Sequence, residues 1–204
     1  ISNNKKHEID SRMGDTPAAT ISTDINGLLT AIYVSKKSTI NYKSMDKFAN
    51  FASEKGEDWV IQKHAELKFP VNNFKEEYYR FSKILIGVGD ANGSDKNVGL
   101  KHELVALTNP YLISSSNEFF VQLLFNKEPQ KNRQITIFER DVENGVSILT
   151  ILTDSNGIGK FEVTEGHDYL VDNVILELSD NPEDDIFWKS YWAALTFRAS
   201  NDPH

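Results

Sequence analysis

Cysteine is absent from the 204-residue chain, which removes disulfides, thiolate metal sites and cysteine nucleophiles together. It leaves the redox compartment open. No apolar run approaches the roughly 20 residues that span a bilayer. Concentrated basic surface is missing too: 22 Lys and Arg stand against 30 Asp and Glu, for a net charge of −8, and the basic residues form only short pairs such as Lys36–Lys37. That balance excludes the phosphate neutralisation of a nucleic-acid binder and disfavours docking on an anionic membrane. There is no G-x-S-x-G elbow, and no HxH, HxxxH or HExxH spacing among His7, His64, His102, His167 and His204, so no local zinc or nickel pair is visible. The opening "ISNNKKHEID" carries neither an initiator Met nor a signal-peptide pattern, and reads as a processed, trimmed or partial start.

What is present suits a folded protein: 39% hydrophobic and 25% charged residues, in a chain long enough for one large domain or two small ones. Residues 1–19 are polar and read as loop. "GLLTAIYVSKKSTINY" then favours a strand. Leu29, Ala31 and Tyr33 share one face, and Leu28, Thr30, Ile32 and Val34 the other. With apolar residues on both faces, this strand is expected to be covered on both sides.

The period changes in "SMDKFANFASEKG", where Met45, Phe48, Phe51 and Ala52 recur at helical spacing between Ser44 and Gly56. A second short helix is expected in "EDWVIQKHAELKF", with Asp58 at its start. "EEYYRFSKILIGV" returns to strand, "GDANGSDKNVG" is a turn-rich loop, and "LKHELVALTNPY" is a strand stopped by Asn109–Pro110. From Glu118 onward nearly every signal is β, six or seven short strands separated by turn residues, the pattern of a β-sandwich. The expected fold is α+β and mainly β. It has an N-terminal β-rich domain with one or two helices over 1–110, then a sandwich over 115–200, with the boundary at "NPYLISSSN".

The order of parts in the second half carries a resemblance. "LLFNKEPQKNRQITIF" leads to "TILTDSNGIGKFEV" and then "HDYLV", similar to the carboxypeptidase-regulatory-like, transthyretin-type sandwich, with Thr153, Asp154, Asn156, Gly157, Lys160 and Phe161 matching its turn motif. From about Leu28 to Phe197, including "KFANFASEKGEDWV" and the run Trp188 to Phe197, the chain resembles a family of exported bacterial proteins of unknown function. Members are often labelled periplasmic components of cobalt or nickel transport. The resemblance implies a non-catalytic accessory or binding protein of the envelope, located in the periplasm, at the outer membrane surface or secreted. Its partners would be an envelope transporter protein and a transition metal ion. Two positions depart from the pattern: no His-containing aromatic strand precedes residue 20, and Ile175 stands where many relatives carry a His.

Several candidate sites remain to be placed. Asp154-Ser-Asn156-Gly157 lacks the carboxylate ladder and closing Glu of a calcium loop, and Asn–Gly is a hairpin dipeptide, so a bend is expected. His102–Glu103 and His167–Asp168 are neighbours that point to opposite faces of a strand. Asp180, Glu183, Asp184 and Asp185 form an acidic connector that has no ordered ligand spacing. "GVGDANG" lacks the Lys-Ser/Thr of a phosphate loop. Phe187, Trp188, Tyr191, Trp192 and Phe197 are either core or, through Trp188 and Trp192, a glycan-stacking platform. Protein interaction, glycan binding and metal handling thus all stay open.

Overall fold

Alternating apolar residues and an abrupt switch to helical spacing at Ser44 lay down, among the described residues, eleven strands and two helices in a computed structural model. It describes residues 8–9, 14, 16–17, 20, 26–113, 116–141, 143, 145–180 and 182–200. The long central strand is Phe74–Val88 (β3), fifteen residues that pair on one side with both Gly27–Val34 (β1) and Ser38–Tyr42 (β2). The expected single strand is therefore broken by a bulge. The register runs Val34 to Phe81 and then Ser38 to Tyr78, a one-residue slip that reverses which parity faces outward. Odd residues of β1 and even residues of β2 share the outer face, and this sends Tyr42 beneath the helices.

Helices Met45–Glu54 (α1) and Trp59–Glu66 (α2) pack one side against that face. Phe48, Ala52 and Val60 join Tyr42, Phe74, Leu176 and Trp188 in a core sealed from solvent. Strand His102–Ala106 (β4), Glu118–Phe125 (β5), the two-residue Glu128–Pro129 (β6) and Ile158–Glu162 (β9) make a four-stranded sheet, with β5 between β4 and β9. Gln134–Asp141 (β7), Gly145–Leu152 (β8), Asp168–Leu178 (β10) and Ile186–Arg198 (β11) complete a seven-stranded sheet in the order β1-β3-β11-β10-β7-β8, with β2 also on β3.

The two sheets face each other. Leu104, Phe119, Val121, Leu123 and Phe161 from the small sheet interdigitate with Leu85, Ile135, Ile137, Tyr169, Val171, Leu195 and Phe197 from the large one. Phe119 stacks on Phe197 at 4.4 Å between ring centroids. With no cysteine available, burial of this apolar area supplies the cohesion between layers. The class is α+β, mainly β, as expected.

Two expectations are corrected. Residues 110–115 do not separate two independent sheets, because β11 lies parallel to β3, from Ile186 against Lys75 to Thr196 against Ile84. A strand from each side of the expected boundary thus forms the centre of one sheet. Nor is 154–157 the bend of a hairpin: β8 pairs with β7 whereas β9 pairs with β5, so the turn carries the chain from one layer to the other. The Leu123 N–H bonds the Gly157 carbonyl at 2.8 Å, and this draws the turn toward β5.

Candidate binding face

The even residues of β3 and β11 project from the large sheet on the side away from the small one. Near the helices they are covered. Trp188 is fully buried there; its indole N–H donates to His64 Nδ1 at 3.0 Å, and His64 Nε2 bonds the Pro70 carbonyl at 3.0 Å. Because Nδ1 accepts, Nε2 carries the proton and donates. Both ring nitrogens are committed, and burial holds the imidazole below its ordinary pKa. An apolar cavity of about 460 Å³, lined by Met45, Ile61, Ala65, Phe69 and Val71, opens beside this histidine. Glu76 is buried under the same helices, accepting from Tyr42 Oη at 2.8 Å and from Ser190 Oγ. Desolvation raises its pKa.

Trp192 marks the rim of the covered area. Phe51 stacks on it at 5.4 Å and 13°. The Lys55 ammonium lies 5.1 Å from its ring and the Arg80 guanidinium 5.5 Å, both within cation–π range. Lys55 also pairs with Asp172 at 2.6 Å, where burial raises the carboxyl pKa against the opposing pull of Lys55.

Beyond Trp192 the helices stop and, among the described residues, no element covers the sheet. Strand register sets Ala31, Ile84, Thr196, Leu170, Phe138 and Ile148 in one row across six strands. The row is almost wholly apolar. Ile84 is 46% exposed, Leu170 38% and Ile148 64%, with Tyr33 and Ile86 also exposed alongside. The expectation that β1 is covered on both sides fails here: Leu28 and Thr30 are buried between the sheets, while Leu29, Ala31 and Tyr33 belong to the open face. The row crosses six of the seven strands of the sheet.

A buried charged cluster around Lys83 is built in as structure. Lys83, inside the sandwich, pairs with Asp95 at 2.6 Å and Glu103 at 3.1 Å, all three buried. Glu103 also accepts from the backbone N–H groups of Val98, Gly99 and Leu100, and Asp95 from that of Ala106 at 3.0 Å. This knot ties the 89–101 loop, including the last five residues of "GVGDANG", onto the sheet. No local sequence signal marked it; the clue was a lysine sharing the inner parity of Phe81 and Leu85.

The remaining sequence candidates fall in different places. His102 points between the sheets, bonding the Tyr191 carbonyl through Nδ1 at 2.8 Å, while Glu103 takes the other face of β4, as their adjacency requires. Burial lowers the His102 pKa to about 4, against smaller opposing effects of the Tyr191 carbonyl and Asn173. His167 bonds Glu139 at 2.8 Å, and Tyr169 Oη donates to the same carboxylate oxygen at 2.6 Å. Asp154 Oδ1 accepts from the backbone N–H of Asn156 and Ile158, each at 2.8 Å, so this oxygen holds the turn. Asp180 pairs with Lys189 at 2.8 Å, and Asp184 and Asp185 turn the chain into β11 with positive φ of 57° and 63°. His7, His204 and the Glu183 side chain lie outside the described residues. Among the described residues no three His, Asp or Glu side chains gather into a metal-binding group. No described helix is long and apolar enough to cross a membrane.

A mainly β chain of this order and length matches one family model over residues 2–175. The chain belongs to the DUF4198 family. The family is described as a domain of unknown function, and its matched stretch runs from the N-terminal residues to Ile175 in β10. Strand β11, which lies at the centre of the large sheet, follows the DUF4198 match. No curated protein and no solved structure matches the chain.

Proposed function

We propose that this DUF4198 chain is a non-catalytic accessory or binding protein of the bacterial envelope, and that it docks a protein partner on the open half of its large sheet. The observation that carries this reading is the six-strand apolar row from Ala31 to Ile148. Single exposed apolar residues are ordinary on a protein surface; a contiguous row across six strands is the kind of patch that a partner covers. Arg80 and Trp192 at its rim are the residue types that dominate binding hot spots.

The envelope setting, whether periplasm, outer membrane surface or secretion, and the link with cobalt or nickel uptake come from the resemblance of the chain to exported proteins so labelled. In this reading the chain serves a transporter complex as a protein partner. The buried carboxylates support a non-catalytic role, since Glu76, Asp95 and Glu103 are each engaged with side chains or backbone that hold the fold. Glycan stacking on paired tryptophans finds less support, because Trp188 is fully buried and only Trp192 reaches the surface.

The test is affinity capture from detergent-solubilised envelopes, comparing the wild-type chain with Ile84→Glu/Leu170→Glu. Both side chains are exposed, so the variant keeps its melting temperature. An envelope transporter protein held by the wild type and released by the variant is the expected result. Equal capture by both, or by neither, removes the proposal.

A further inference from the structure

Strand β8 lies at one end of the large sheet, and its strand partner among the described residues is β7. Edge strands present unpaired N–H and C=O groups and are ordinarily blunted by charge, proline, bulges or short length. β8 has none of these. It is eight residues long, its sequence GVSILTIL holds no charge and no proline, and its register with β7 is unbroken. Val146 is 60% exposed, Ile148 64%, Leu149 51% and Leu152 63%. The β1 edge of the same sheet is shielded instead: the Leu28 N–H bonds the Asn92 carbonyl at 2.9 Å, and Lys36–Lys37 follow the strand.

We infer that β8 is a self-association edge, on which a second copy of this chain pairs its own β8 in antiparallel fashion about a twofold axis at Leu149. Backbone parity fixes the register. The Thr153 N–H bonds the Arg133 carbonyl at 3.0 Å, and the β7–β8 pairing continues that register. In an antiparallel ladder, hydrogen-bonded pairs alternate with non-bonded ones. Residues 145, 147, 149 and 151 therefore bond inward to β7, and Val146, Ile148, Thr150 and Leu152 aim their backbone groups outward.

One symmetric register uses all four. It sets Val146 against Leu152 of the second copy and Ile148 against Thr150 of the second copy, and both relations repeat across the axis. Leu149 then meets its own counterpart as a non-bonded pair, where side chains approach most closely. A closed twofold contact of this kind is isologous.

Charge selects a second copy over an unrelated strand. A charged residue at the axis would meet the same charge on its counterpart, and the eight residues of this strand hold none. This strand has no charge to oppose itself and none with which to recruit a foreign segment. The joined sheet also continues the open apolar row across the axis, since Ile148 belongs to both.

Oligomeric mass by light scattering, from micromolar to millimolar concentration, tests the pairing independently of any envelope partner. The wild-type chain is expected to reach twice the chain mass. Leu149→Lys and Leu149→Glu each place like charges face to face at the axis and are expected to be monomeric, with far-ultraviolet spectra unchanged. Mixing the two is expected to restore the doubled mass, and Leu149→Cys, the sole thiol in the molecule, to oxidise to a covalent dimer. A wild-type monomer at all concentrations overturns the inference. So does a dimer indifferent to charge at residue 149, or a mixture of the two charged variants that stays monomeric.

Discussion

Protonation of His102 opposes folding. In the native protein burial keeps it neutral down to about pH 4, against an ordinary value of 6.5. Between those values the unfolded chain binds the extra proton, so stability rises with pH across the window and is lost as pH falls through it. The contribution is fully present above pH 6.5. On acidification to pH 5 about 2 kcal/mol is lost, and roughly 3 kcal/mol by pH 4. Urea unfolding of the wild type and His102→Gln at pH 7 and pH 5 reads this directly: the variant should lose about 2 kcal/mol less between the two conditions. Parallel pH dependence in the two proteins would remove the assignment. Glu76 works with the opposite slope. Its raised carboxyl pKa means that the folded state holds the proton longer, so its contribution declines as pH climbs from the unfolded value through the native one.

At the scale of elements, the 154–157 turn shows how little room a layer-crossing leaves. Gly157 has φ of 72°, and a Cβ there would lie 2.8 Å from the Gln130 nitrogen and 2.9 Å from the Leu123 oxygen. Both are backbone atoms that cannot swing aside. Gly157→Ala is therefore expected to cost about 1–3 kcal/mol, through positive φ and the clash together. A chemical-denaturation midpoint unmoved by the substitution would contradict that geometry. The Asn–Gly dipeptide was legible as a turn but not as a sheet-to-sheet corner, because the dipeptide reports only local φ, whereas the destination of the chain is set by whether β5 or β8 accepts the hydrogen bonds of β9. The first helix was legible from spacing, since Phe48 and Ala52 are its buried residues; the second was legible from Asp58 and Pro70 at its ends, and it buries Val60 and His64. The bulge at 35–37 was not: a one-residue slip leaves "GLLTAIYVSKKSTINY" looking like an uninterrupted strand.

For the whole molecule, the strand that decides the architecture is the last. β3 loses one entire ladder if β11 is absent, and Leu85 loses the cover that Ala193 and Leu195 help to provide. A fragment of residues 26–110 is expected to be unfolded, with a collapsed amide proton spectrum; a dispersed spectrum would restore the independent N-terminal domain that the sequence suggested. Composition announced the class, and the alternation announced most strands. The pairing of β3 with β11 was invisible, because parallel partners more than a hundred residues apart leave no turn signal between them. The open face was hidden for a related reason: apolar residues on both sides of β1 read as burial twice over, and only the end of α1 determines where cover stops.

That late partner has a consequence for how the polypeptide is made. Synthesis delivers Ile84, Leu85 and Ile86 long before Ala193, Ala194 and Leu195, and the ladder that joins them cannot close until the ribosome has passed Arg198. Through most of translation the nascent chain has no finished sheet to fold into. It stays threadable, and a holding chaperone would meet it with its central hydrophobic strand bare.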